Sequence, residues 1–63
     1  MTQKELLYYQ DAINHEQCTI DICKQIINNL KDNDLVDFMK KELDIHSSIK
    51  ERLLKVMEEC SNE

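Results

Sequence analysis

The sequence predicts an all-α fold: an antiparallel two-helix hairpin over residues 1–63 that dimerises into a four-helix bundle. Three observations carry this expectation. The chain contains neither glycine nor proline, the residues that tight β-turns, bulges and phosphate-cradling loops rely on. Apolar residues recur at alternating steps of three and four through two long segments, the period of a helix with one buried stripe. One polar cluster, Asn28-Asn29 and then Lys31-Asp32-Asn33-Asp34, separates those segments with residues that favour caps and turns over helix interiors.

The first helix is expected over about residues 3–30. Thr2-Gln3-Lys4-Glu5 has capping-box form, a hydroxyl for an orphan amide and a glutamate three residues on that reaches back. The seam then reads Leu6, Tyr9, Ile13, Glu16, Ile20, Cys23, Ile27 and Leu30, and Leu7, Ala12, Ile22 and Ile26 widen it. A stripe this wide suits packing against more than one helix. A turn near 31–34 follows. Asp34, with Asp37 three residues later, is expected to cap the second helix, over about 35–60. Its seam reads Leu35, Met39, Glu42, His46, Ile49, Leu53, Val56 and Cys60, flanked by Phe38, Leu43 and Ile45. A short link makes the two helices antiparallel neighbours, with residue i near residue 65 − i.

Size argues that the hairpin does not stay alone. A 63-residue, 7.5 kDa chain supplies only about 3–5 kcal/mol from a single core, and a bare hairpin leaves the outer half of each stripe in water. Two copies about a two-fold axis bury all four stripes. Leu6, Ile13, Ile20, Ile27, Leu35, Ile49, Leu53 and Val56 are the residues expected to pack the dimer, and Ile20→Asp is expected to dissociate it.

Composition excludes other classes. The net charge of −5 repels phosphate backbones and anionic headgroups, so neither nucleic acid nor a membrane surface is an expected partner. Met1-Thr2-Gln3-Lys4-Glu5 is charged where a signal segment is apolar, and no apolar run reaches the roughly 20 residues of a membrane span; a cytoplasmic protein is expected. Cys18, Cys23 and Cys60 form an odd set without Cys-x-x-Cys spacing, so they read as reduced thiols acting as small apolar residues.

Three ionisable residues fall on the seams and need an explanation: Glu16, Glu42 and His46. A charge there is costly unless it is paired, hydrogen-bonded or metal-bound. The hairpin register puts all three in one zone, with Cys23 across from Glu42 and Glu16 about one turn from His46. Two-fold duplication gathers four glutamates and two histidines, the ligand inventory of di-iron carboxylate bundles, so iron, manganese or zinc on Glu16, Glu42 and His46 is one reading. The spacing departs from that pattern: Glu42 and His46 are four apart instead of three, and Leu43 stands at the matching glutamate position. The competing reading is a Glu–His pair that sets helix register. His15 reads as solvated, the Tyr8-Tyr9 pair as cover for the open end of the bundle, and Lys40-Lys41 and Lys50-Glu51-Arg52 as solvated faces.

Lys4-Glu5-Leu6-Leu7-Tyr8, Asp11-Ala12-Ile13-x-His15-Glu16, Cys23, Leu30-x-Asp32 and His46 stand in one register that resembles the small Coat F-type spore coat proteins, over roughly residues 3–57. The resemblance implies a ferritin-like helical fold, a structural role in or near the spore coat alongside other coat proteins, no enzymatic activity, and Glu16 and His46 where ferritin-like proteins place metal ligands. Glu42-Leu43-Asp44 also resembles the core of the Ser-Gln-Glu-Leu-Asp motif of small aspartyl-phosphate phosphatases of the sporulation phosphorelay, with Lys40 and Lys41 in place of Ser and Gln. That resemblance implies that Asp44 or Glu42 positions an attacking water on a response regulator's acyl phosphate.

Overall fold

A computed structural model describes residues 1–61. Two helices, α1 (Gln3–Asn29) and α2 (Asn33–Ser61), pack side by side as an antiparallel hairpin. The molecule is a rod of 47 × 15 × 11 Å, the length that 27 or 29 helical residues impose at about 1.5 Å per residue.

Each helix starts where a side chain can satisfy its orphan amides. Thr2 forms the expected capping box: its Oγ1 accepts from the Glu5 amide at 3.1 Å, and Glu5 Oε1 accepts from the Thr2 amide at 3.4 Å. The second cap differs from expectation. Asp32, not Asp34, supplies it: Asp32 Oδ1 accepts from the Asp34 and Leu35 amides at 2.9 and 3.3 Å, and its carbonyl accepts from Val36 at 3.0 Å. Asp34 instead lies in the first turn of α2, where its negative charge faces the positive end of the helix dipole. The helix therefore opens at Asn33, two residues before the expected boundary.

The link between the helices works without glycine. Leu30 leaves α1 in extended backbone, φ −82° and ψ 142°, with its amide still bonded to the Ile26 carbonyl at 2.9 Å. Asn29 Nδ2 donates to the Gln25 carbonyl at 2.7 Å, tying the last residue of α1 back onto its own final turn. Among the described residues none has a positive φ, so the turn needs no left-handed residue.

Burial repeats at thirty-residue spacing. Leu6 and Val36, Tyr9 and Met39, Ile13 and Leu43, Glu16 and His46, Ile27 and Met57, and Leu30 and Cys60 are all half-buried, and the caps Thr2 and Asp32 keep the same spacing. The hairpin thus has a local two-fold about its own middle. Only Ile20 and Cys23 are buried among the described residues.

The expected seams need one adjustment. Every residue of the α1 seam is half-buried or buried; on α2 Met39, Glu42, His46, Ile49, Leu53, Val56 and Cys60 are half-buried but Leu35 is 50% exposed. Val36, Leu43, Lys50 and Met57 share the contact with them. A helix pressed against one neighbour covers side chains on both sides of the contact line, and the apolar pattern of α2 marks only one of those sides.

The two broad faces of the hairpin differ in chemistry. On one, Ala12, Thr19, Cys23 and Ile26 of α1 join Phe38, Ile45, Ile49 and Val56 of α2; on the other lie Gln10, Asn14, Asp21, Lys24 and Asn28 with Lys40, Asp44, Glu51 and Glu58, following the helical period. Tyr8, Ile22, Phe38 and Ile45 are more than half exposed at the outer margin of the apolar face. Leu54, beside Gln10, Ile13 and Asn14, and Leu7, in line with Asn14 and Asp21 on α1 and 58% exposed, are apolar exceptions on the polar side.

Candidate functional site

Glu16 and His46 sit at equivalent positions of the two helices, near the middle of each, and the antiparallel crossing brings them into contact. His46 Nδ1 lies 2.6 Å from Glu16 Oε2. An ionised carboxylate only accepts, so the ring nitrogen is the donor in this pair. Glu42 approaches from one helical turn away on α2, its Oε2 3.7 Å from His46 Nε2, beyond hydrogen-bond reach. The side chains of Glu16, His46 and Glu42 are 17%, 27% and 36% exposed. The three are in the one zone that the hairpin register predicts, with Glu16 and His46 in direct contact instead of a turn apart.

This arrangement orients the imidazole. Glu16 holds Nδ1, which leaves Nε2 directed to the Glu42 side, in a shallow groove lined by Thr19, Ile22, Cys23, Phe38, Met39, Glu42 and His46. Fixing one ring nitrogen to set the role of the other is how carboxylates position histidines generally. Within one hairpin, however, the two carboxylates flank opposite edges of the ring, and among the described residues no group of three or more His, Cys, Asp or Glu side chains could hold a metal ion. A single chain therefore does not assemble the ligand set that the resemblance to ferritin-like proteins implies.

A second interhelical polar contact lies one turn toward the open end. Lys50 Nζ donates to Gln17 Oε1, and both side chains are half-buried. Lys50 is thus not on a solvated face: its alkyl stem lies in the contact and its head finds a partner. The signal was its position, one turn after His46 on the same stripe.

Ile20 is 5% exposed and packed inside its own hairpin, so Ile20→Asp would break the monomer before it could report on any dimer. Leu6, Ile13, Ile27, Ile49, Leu53 and Val56 are half-buried. Tyr9 is half-buried, whereas Tyr8 is 60% exposed with the Lys4 ammonium 6.0 Å from its ring centroid. Asp44 is exposed on the far side of α2, in a shallow recess with Ser48 and Arg52. His15 is exposed. The three thiols are free, Cys18 exposed, Cys23 buried and Cys60 half-buried. Among the described residues no helix is long and apolar enough to cross a membrane. Comparison with family models, with curated proteins and with solved structures returns no match for the chain.

Proposed function

We propose that this chain is a protein-interaction module without catalytic activity, which self-associates through its apolar face into a four-helix bundle of two hairpins. The single observation that carries the reading is the unfinished core. The hairpin exposes 5125 Å², against about 4,200 Å² for a compact monomer of its mass. The excess, roughly 900 Å², is close to the ~800 Å² that each partner commits to a standard interface. The apolar face accounts for where that area goes, and its polar counterpart for why association stops at two layers. The resemblance to small spore coat proteins makes the proposed role assembly alongside other coat proteins, from the cytoplasm onto the spore coat.

Sedimentation velocity and native mass spectrometry of protein purified without chelator test the proposal together. A species of twice the 7.5 kDa chain mass is expected at micromolar concentration; a monomer throughout would end the self-association reading. Elemental analysis of the same sample addresses the metal reading. His46 Nε2, on the groove side with Glu42 Oε2 3.7 Å away, favours it, but iron, manganese or zinc would need ligands from the second hairpin as well. Asp44, exposed as a phosphatase carboxylate must be, keeps the phosphorelay reading testable: the purified chain would have to accelerate loss of a response regulator's aspartyl phosphate.

A further inference from the structure

The half-buried charged residues of the apolar face are gathered at one level, whereas His15 and Arg52 at its margin are exposed. Glu16 and His46 stand near the middle of α1 and α2, and Glu42 one turn away. Apolar side chains cover the levels to either side: Ile22, Ile26 and Phe38 toward the turn, and Ala12, Leu53 and Val56 toward the open end. A two-fold dimer of face-to-face hairpins has its turns either at the same end or at opposite ends. Mid-height is the one level that both arrangements bring onto itself.

We infer that the Glu16–His46–Glu42 layer is the register key of the dimer, each layer stacking on that of the second copy. This rests on the self-association proposed above. In register, the Nε2 edge of His46 at mid-height on one hairpin meets that of the other, with Glu42 beside it, so polar groups face polar groups across the interface. A slip of one helical turn, about 5.4 Å, lays them against Ile22, Ile49 or Leu53 of the partner copy and desolvates them with nothing to bond. Uniform apolar faces would tolerate that slip, because one apolar level packs nearly as well as the next. One buried polar position selects register and oligomer number in coiled coils by the same penalty, at a cost in stability.

The test compares three proteins, all carrying Cys23→Ala and Cys60→Ser so that exposed Cys18 alone takes a spin label: the parent, Glu16→Leu/His46→Leu, and the exchange Glu16→His/His46→Glu. Native mass spectrometry counts chains, and dipolar electron resonance measures the distance between labels on the two copies. The parent and the exchange are expected to give dimers with one narrow distance. The double leucine variant is expected to melt no lower, yet to show two or more distances or species above the dimer. A single narrow distance and a pure dimer in the double leucine variant would overturn the register key while leaving the dimer intact. Several distances in the parent would overturn it too, and a monomeric parent would overturn the self-association on which it rests.

Discussion

Ile20 and Cys23 are the two buried residues among those described, and the consequence of so small a core falls on each of them. Replacing a buried isoleucine by alanine costs about 2–5 kcal/mol, depending on how far the site collapses. A hairpin with an elongated contact collapses easily, so we predict about 2–3 kcal/mol for Ile20→Ala, read as a lowered urea midpoint at unchanged slope. An unaltered midpoint would mean that Ile20 is not held between the helices. Glu16 has a different kind of weight. Removing it as Glu16→Ala leaves His46 Nδ1, now paired at 2.6 Å, without an acceptor in a site about a quarter exposed; a loss of about 1–2 kcal/mol is expected. Denaturation of Glu16→Ala and His46→Ala, singly and together, measures the coupling. Additive losses would show that the pair contributes nothing jointly.

The helices depend on their caps more than helices of a larger protein do, since no third element holds them in place. Asp32 anchors α2 through two amides at the link, where fraying would also pull the hairpin apart. Asp32→Ala is predicted to cost about 1 kcal/mol and to lower the melting temperature followed by circular dichroism. Thr2→Ala is predicted to cost less, about 0.5 kcal/mol, because it frees only the outer end of α1. Equal losses at the two caps would contradict that difference. The caps were legible to unequal degrees. Thr2-Gln3-Lys4-Glu5 forms a motif with reciprocal bonds, so composition and spacing identify it. In Lys31-Asp32-Asn33-Asp34 three neighbouring residues are good N-caps, and which one serves depends on where α1 stops.

At the scale of the whole molecule, the decisive feature is the difference between its faces. Phe38, 56% exposed, projects from the apolar face at the margin of the groove that it lines with Ile22 and Met39. Phe38→Asp is therefore expected to leave the helical content of the monomer nearly unchanged while abolishing the dimer, checked by sedimentation velocity beside circular dichroism. The melting temperature of the parent should rise with protein concentration, as for any assembly that binds only the folded form, and that of Phe38→Asp should not. A dimer that survives Phe38→Asp would place the interface elsewhere.

Helix, turn and antiparallel pairing were determined by the sequence alone, because periodicity, capping chemistry and the absence of glycine and proline are local properties that no distant contact reverses here. So was the gathering of Glu16, Glu42 and His46 in one zone, which follows from a short link and a constant rise per residue, whereas the direct contact of Glu16 with His46 replaces an expected separation of about one turn. What only the tertiary structure decided is how each apolar stripe divides. Periodicity locates the centre of a stripe but not which side faces the neighbouring helix and which faces outward. The pattern alone puts Ile20 in a dimer contact, Leu35 in the seam and Lys50 in solvent, whereas Ile20 lies inside the hairpin, Leu35 is half exposed and Lys50 pairs with Gln17. Burial is a relation between two surfaces, and the second surface is absent from a one-dimensional pattern.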